Sequence, residues 1–362
     1  MRLALTAGGT GGHIFPAMAV LDALRLRPGL DLDVRFFGPE NRGERAMVES
    51  HGVAFEAVPS AGVRGRSPLR LIQGLCALAW GTVVAFRKLR RFRPDAVFST
   101  GGYASFPASL AARVLRRPLV VYLPDVTPGW AVRAETRLAT RIATTTDAAL
   151  AHLPAAKTAV TGYPVRSAFF TTTREEARAR LQVGAEDRVL LVAGASQGAQ
   201  AINEAVFAAL PELAALATVV HVTGPGWLER AEQRRSQLPI EVQARYRPAA
   251  FRDDLPDVMV GADLAVMRAG ASTLGEIPAA ALPVILVPGT FAGGHQRDNA
   301  RWLEGLGAAE VVAEKGLGGL AARVTELLVS GSRLEAMREA ARSAARPDAA
   351  DRIADLVLEV AR

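Results

Sequence analysis

Short apolar runs alternate with glycine turns and amphipathic stretches along this chain, which is the rhythm of a parallel α/β protein. Leu3 to Ala7 is apolar throughout, as a strand covered on both faces of a sheet must be. Gly8, Gly9, Gly11 and Gly12 follow, then a predicted helix with Pro16 in its first turn. Val34 to Phe37 and Ala54 to Val58 are predicted strands, with a helix from roughly Arg42 to Ser50 between them. Asp95 to Ser99 and Pro118 to Tyr122 extend the same sheet, and a helix follows Gly129.

The pattern then restarts. Val189 to Val192 is an apolar strand, Ala193 to Gly198 a glycine turn, and Ala199 to Leu210 a helix carrying Asn203. Further strands are predicted at Val219 to Thr223, Ile240 to Tyr246, Leu264 to Met267 and Pro283 to Pro288, with helices from Leu317 onward. Two such beginnings, about one domain length apart, predict two doubly wound domains facing across a cleft, joined within Thr158 to Arg166. The expected division is 1–163, 164–345 and a C-terminal helix in 346–362, whose segment Asp351 to Val360 can cross back to the first domain.

Charge alters this picture in one half only. The net charge is +7, but residues 1–163 hold 21 Lys plus Arg against 11 Asp plus Glu, and the remainder 22 against 25. The apolar run Leu71 to Phe86, which includes Trp80, is preceded by Arg64, Arg66 and Arg70 and followed by Arg87, Lys88, Arg90, Arg91 and Arg93. It is too short to span a bilayer and reads either as a packing helix with a solvated basic end or as an element resting on anionic lipid. Cys76 is the sole cysteine, so no internal disulfide is expected, and no signal-peptide pattern opens the chain; both features suit a reducing cytoplasm.

The candidate chemistry sits in the loops after strands. Four glycines in five positions let a ligand approach the amides at a helix N-terminus, beside Thr10 and His13. This is not the dinucleotide fingerprint, because Ile14 stands where a third glycine belongs and no acid ends the run Val34 to Phe37. Nor is it a phosphate loop, since no Gly-Lys-Ser/Thr follows. Gly101, Gly102 and Tyr103 form a second glycine turn at a strand's carboxyl end. Arg268 to Glu276 opens a helix with small residues suited to phosphate, and Glu276 is placed to accept two ribose hydroxyls. Gly293 to Asn299 adds polar side chains after a glycine pair. Asp31 and Asp33 precede a strand, where a turn is the simpler reading, and no His/Cys cluster suggests zinc.

Six segments together resemble the MurG family of glycosyltransferases in order and spacing, over nearly the whole chain: GGTGGHIFPAMAV (Gly8 to Val20), STGGYASFP (Ser99 to Pro107), VTGYPVR (Val160 to Arg166), GASQGAQAIN (Gly194 to Asn203), RAGASTLGE (Arg268 to Glu276) and HQRDNA (His295 to Ala300). The resemblance implies the two-domain GT-B fold and inverting transfer of N-acetylglucosamine from UDP-N-acetylglucosamine to the 4-hydroxyl of undecaprenyl-pyrophosphoryl-N-acetylmuramyl-pentapeptide, in peptidoglycan synthesis. It implies Ser196 and Arg166 at the diphosphate, Ala271, Ser272 and Thr273 at the phosphates, Glu276 at the ribose, Arg252 beside uracil, and Gln296 and Asn299 at the sugar. Thr10, Gly11, Gly12, Asp125 and Asn203 complete the implied donor set.

On the acceptor side it implies Thr10, His13, Gly101, Gly102 and Tyr103. Membrane association falls to Leu71, Ile72, Leu75, Trp80, Phe86, Arg87 and Lys88, at the anionic cytoplasmic face, with no nucleic-acid partner. His13 and Glu276 are the implied catalytic pair. His13 is the best-placed base because imidazole titrates near neutrality, the alternative being that it only bonds a phosphate. No cofactor is implied beyond the substrates, the leaving diphosphate being met by helix N-termini, glycine amides and Arg166, and assistance by a divalent ion is left open.

The chain departs from the family at Leu123-Pro124-Asp125, where Glu-Gln-Asn is usual, and at Val132, where Asn is usual. Asp125 accepts hydrogen bonds but cannot donate as an amide does, which bears on sugar contact and acceptor choice. A transferase for another lipid acceptor, a UDP-sugar epimerase and a non-catalytic nucleotide-sugar scaffold are the alternatives.

Overall fold

The computed structural model describes residues 1–8, 11–40, 43–61, 68–194, 198–289 and 294–361, the side chains of 11 and 68–72 excepted. The chain divides into two units, Met1–Val165 with Pro347–Arg362, and Arg166–Arg346.

The first unit contains β1 (Arg2–Thr6), α1 (Gly11–Arg25), β2 (Asp33–Gly38), α2 (Glu44–Glu49), β3 (Ala54–Ala57), α3 (Pro68–Phe92) and β4 (Ala96–Ser99). It continues through α4 (Phe106–Val114), β5 (Leu119–Leu123), α5 (Trp130–Leu138), β6 (Arg141–Thr144) and β7 (Thr158–Val160). Seven strands lie in the order β3-β2-β1-β4-β5-β6-β7, every pair parallel. β4 and β5 are buried at every position, which is why their sequences are unbroken apolar runs and not alternations.

The second unit begins with α6 (Ala168–Thr171), α7 (Arg174–Arg180), β8 (Val189–Ala193), α8 (Gln200–Leu216), β9 (Thr218–Val222), α9 (Leu228–Ser236) and α10 (Ile240–Gln243). It continues with β10 (Tyr246–Ala249), α11 (Leu255–Gly261), β11 (Leu264–Met267), α12 (Thr273–Ala280), β12 (Val284–Leu286), α13 (His295–Gly305), β13 (Ala309–Val311), α14 (Leu320–Val329) and α15 (Gly331–Ser343). Its six strands run β10-β9-β8-β11-β12-β13, again all parallel. The last helix, α16 (Ala349–Val360), returns to the first unit, where it packs on α1 and on β4 to β6. Arg27 holds it there by ion pairs to Asp351 (3.2 Å) and Asp355 (2.7 Å).

Both sheets reverse their winding once, between β1 and β4 and between β8 and β11. Thr6 pairs with Ser99, and Ala193 with Met267, so the loops on either side of each switch leave the sheet at one level. Ligands of doubly wound sheets bind beyond the carboxyl ends of strands at such a point.

Three boundaries correct the sequence reading. Ile240 to Tyr246 is not a strand: Pro239 opens a single helical turn, α10, and the strand starts only at Tyr246. The first helix begins at Gly11, so Pro16 lies in its second turn and not its first. The segment expected to be only a junction supplies an edge strand, β7.

Candidate functional site

In the first unit the loops after β1 and β4 are tied together at His13. Its Nδ1 lies 2.9 Å from the Thr100 carbonyl oxygen, and the Thr100 hydroxyl donates back to the His13 carbonyl at 2.7 Å. A carbonyl can only accept, so Nδ1 carries a proton, and in the neutral ring Nε2 is the nitrogen that holds the lone pair. The glycines permit this closeness: a Cβ on Gly8 would fall 2.8 Å from the His13 ring, and one on Gly102 would fall 2.8 Å from the Cα of Gly8. Gly101 and Gly102 also have φ of 79° and 102°, the left-handed region where other residues are strained. Tyr103 beside them is half-buried.

Pro16 has a second consequence. Lacking an N–H, it cannot bond the carbonyl four residues back, that of Gly12. The Tyr163 hydroxyl supplies the missing donor at 3.2 Å. Tyr163 therefore braces the glycine loop, a role the sequence did not reveal.

A buried carboxyl supports the Gly101 turn from below. Glu135 of α5 accepts from the Ser99 hydroxyl at 2.7 Å and lies 2.6 Å from the Ser105 hydroxyl, while Ser99 Oγ accepts the Gly101 amide at 3.1 Å. Burial pushes this carboxyl up to about 7, against the pull of the surrounding serines. Sequence reasoning passed over Glu135, and the signal available was an acid on the apolar face of WAVRAETRL, between Val132 and Ala139. Val132 packs under the same turn, where a Cβ on Gly101 would meet its Cγ2 at 2.7 Å. Asp125 follows β5 and is half-buried.

In the second unit Gly198 has φ 78°, and a Cβ there would lie 2.0 Å from the Thr223 carbonyl oxygen. Asn203, implied to meet the donor, is instead fully buried beneath this turn. Its Nδ2 donates to the Thr223 carbonyl at 2.9 Å, and its Oδ1 lies 3.1 Å from His221 Nε2. His221 Nδ1 in turn meets the Tyr246 hydroxyl at 2.9 Å. Burial lowers the imidazole to about 3, so it stays neutral.

At the start of α12 the Thr273 hydroxyl donates to the Gly270 carbonyl at 2.6 Å, and the side chain is buried. Ala271 and Ser272 remain half-buried at the helix N-terminus. Glu276 is half-buried one turn on; desolvation raises its carboxyl above the usual range, against the Ser272 hydroxyl and the Arg166 charge. Arg166 donates to the Asp253 carbonyl at 3.3 Å, and Arg252 pairs with Asp254 at 2.8 Å. Gln296 accepts the Gly289 amide at 2.8 Å, and Asn299, fully buried, donates to the Ala269 carbonyl at 3.1 Å. Arg268 spans from the Val287 carbonyl (3.1 Å) to Glu314 (2.6 Å), so it ties strand ends together. Gly9, Thr10, Ser196 and Gly293 lie outside the described residues, as do the side chains of Leu71 and Ile72.

The remaining membrane candidates on α3 differ in exposure. Leu75, Trp80 and Arg87 are exposed, Leu75 and Trp80 by more than half, and Val83, which was not a candidate, is exposed among them. Phe86 packs against the core of the unit and Lys88 pairs with Glu56 at 2.8 Å, which removes both from that exposed ridge. Among the described residues no helix is long and apolar enough to cross a membrane.

Residues 3–144 match the glycosyltransferase family 28 N-terminal domain and residues 189–353 its C-terminal domain. A Roseiflexus sp. (strain RS-1) protein is 37% identical over 99% of this chain and 94% of its own. It is a UDP-N-acetylglucosamine N-acetylmuramyl-(pentapeptide) pyrophosphoryl-undecaprenol N-acetylglucosamine transferase. The crystal structure of MurG from Acinetobacter baumannii superposes with a TM-score of 0.77, 25% identity and 99% coverage of both chains. The UDP-GlcNAc 2-epimerase of Neisseria meningitidis shares the fold at a TM-score of 0.69 with 16% identity, covering 99% of this chain and 100% of that one. With its two parallel sheets and full-length likeness, the chain belongs to the MurG family of N-acetylglucosamine transferases, within glycosyltransferase family 28, and has the GT-B fold.

Proposed function

We propose that the protein transfers N-acetylglucosamine from UDP-N-acetylglucosamine to the 4-hydroxyl of a lipid-linked muramyl-pentapeptide, with inversion at the anomeric carbon. The observation that carries the mechanism is the 2.9 Å contact of His13 Nδ1 with the Thr100 carbonyl, which leaves Nε2 able to accept a proton. As the acceptor oxygen bonds to the anomeric carbon, its proton passes to Nε2 and UDP departs with the electron pair of the broken bond. The imidazolium so formed keeps its Nδ1 hydrogen bond, which stabilises it as the Asp does in a hydrolase triad.

Donor binding is assigned to the second unit. The N-terminus of α12 and Arg166 meet the diphosphate, and Glu276 accepts from the ribose. Gln296 and Asn299 contribute through the backbone they hold as much as through their side chains, and Arg252, its side chain paired with Asp254, through its own backbone beside uracil. No cofactor is assigned. Acceptor binding falls to the loops around His13, Gly101, Gly102 and Tyr103, and docking on anionic lipid at the cytoplasmic face to the exposed ridge of α3. An apolar ridge bordered by Arg87, Arg90 and Arg91 is the chemistry such docking requires.

The test is transfer of labelled sugar to a short-chain lipid-linked muramyl acceptor. Acceptor-dependent product with matching UDP release is expected, and His13→Ala lowers kcat by about 10²–10⁴-fold with UDP affinity unchanged. Sugar turned over in the absence of acceptor would reject the reading in favour of an epimerase. On anionic vesicles carrying the native acceptor, Trp80→Ser lowers turnover; equal turnover would detach α3 from the membrane.

A further inference from the structure

The contacts around Glu135 hold one more proton than its serines can supply. Ser105 Oγ lies 2.6 Å from Glu135 Oε1 and 2.8 Å from the Gly102 carbonyl oxygen, and it is fully buried. A serine hydroxyl has a single proton, and a carboxylate and a carbonyl both only accept. Two hydrogen bonds thus need two protons, and the second can come only from the Glu135 carboxyl. With the acid neutral the chain closes: Glu135 Oε1–H donates to Ser105 Oγ, Ser105 O–H donates to the Gly102 carbonyl, and Ser99 O–H donates to Glu135 Oε2. With the acid ionised, the Ser105 proton turns to the carboxylate and the Gly102 carbonyl loses its donor.

Gly102 is the backbone unit beside the reacting nitrogen, since a Cβ on it would stand 3.8 Å from His13 Nε2. The same loop holds Nδ1 through Thr100. We propose that Glu135, as the neutral acid, is a positioning residue that fastens the Gly101–Gly102 turn beneath His13 through Ser105. Ionisation of this acid releases the turn and gives transfer its alkaline limb. The proposal rests on the transferase reading above and assigns that site a pH-responsive support.

No charge intrudes on this group. Its neighbours are Ser99 at the end of β4 and Ser105 and Ser109 at the start of α4, and the causes acting on it are burial and those three serines alone. The charged side chains on the packed helices, Arg133 and Arg137 on α5 and Arg113 on α4, lie on their exposed faces. Burial that places the carboxyl at about 7 agrees with a proton held at neutral pH and lost just above it.

Steady-state transfer by the full chain, followed from pH about 5.5 to about 9, tests this. The wild type should show an alkaline limb from Glu135. Glu135→Gln keeps both hydrogen bonds with an amide that does not titrate, so it should lose that limb and exceed the wild type about tenfold at the alkaline end. Glu135→Asp, one methylene too short for both serines, should lower kcat about tenfold with KM for the donor unchanged, and Ser105→Ala should abolish the alkaline limb. An alkaline limb unaltered in Glu135→Gln overturns the proposal.

A second readout does not need turnover. The infrared band of the buried carboxylic acid should titrate in the wild type and be missing in Glu135→Gln, and the His13 Nε2 nitrogen shift should move with the same midpoint only in the wild type. If no sugar is transferred, the transferase reading has failed while these spectra still decide the relay. A His13 shift indifferent to that midpoint overturns it.

Discussion

Glu135 in the first unit and His221 in the second are buried groups of opposite kind, so their own contributions to stability should respond to pH with opposite signs. In the first, the Glu135 acid is raised from 4.5 to about 7; in the second, the His221 imidazole is lowered from 6.5 to about 3. Between pH 4.5 and 7 an unfolded chain has released the Glu135 proton while the folded unit still holds it, so raising the pH favours unfolding. The shift of about 2.5 units corresponds to about 3 kcal/mol, fully present below pH 4.5 and lost once pH passes 7. For His221 the unfolded chain takes up a proton first as pH falls below 6.5, so acid favours unfolding. The loss reaches about 2 kcal/mol by pH 5 and about 5 kcal/mol at the folded value near 3.

Other carboxylates also respond to acid, so the comparison must be with isosteric variants that do not titrate. Urea unfolding with pulsed hydrogen exchange, read peptide by peptide, reports each unit separately. The difference between wild type and Glu135→Gln should confine its change to the first unit, falling by about 3 kcal/mol from pH 4.5 to 7. The difference between wild type and His221→Gln should confine its change to the second, falling as pH drops below 6.5. A flat difference in either case, or slopes of the same sign, would refute the assigned protonation states.

Two further expectations concern packing beneath the loops. A Cβ on Gly81 would stand 1.9 Å from the Pro59 carbonyl oxygen, so Gly81→Ala must push α3 off that segment at a cost of about 3 kcal/mol. The first unit should then melt roughly 5–10 °C lower in calorimetry, and an unchanged melting temperature would contradict the contact. Asn203→Ala strands His221 Nε2–H and the Thr223 carbonyl in the interior, and should destabilise the second unit by about 2–3 kcal/mol in urea titrations, a loss that Asn203→Gln does not repair if the fit is as close as the two distances imply.

Much of the architecture was legible because doubly wound sheets write themselves as apolar runs followed by small residues. β1, β4, β8 and β11 are each announced by such a run, and the chemistry of the chain lies in the loops that follow them. The elements that escaped are those whose covering comes from elsewhere. β6 carries Arg141 and Thr144 and leans on its neighbours, while β13 is three residues long with Glu310 at its centre. Ile240 to Tyr246 misled because its apolar residues fit a strand's spacing, yet Pro239 starts a helical turn at once. Gly81 carries no signal of its own in the apolar run of α3 and is the point where backbone meets backbone.

The site was legible in its glycines and less so in its polar side chains, and the reason is the same for each residue that moved. Asn203, Thr273 and Asn299 occupy segments that must bring bare amides to a ligand, and a glycine turn keeps such a shape only if its carbonyls are fastened from behind. Asn203 fastens Thr223, Thr273 fastens Gly270, Asn299 fastens Ala269, and Ser105 with Glu135 fastens Gly102. A motif therefore contains two kinds of polar residue, those that face the substrate and those that face the loop, and their letters are identical. Only burial separates them, and for Glu135 burial also sets the proton on which the loop depends. Loss of a ligand-facing residue should change affinity for one substrate, whereas loss of a fastening residue should lower kcat and stability together, and that difference is what sorts the members of these loops by experiment.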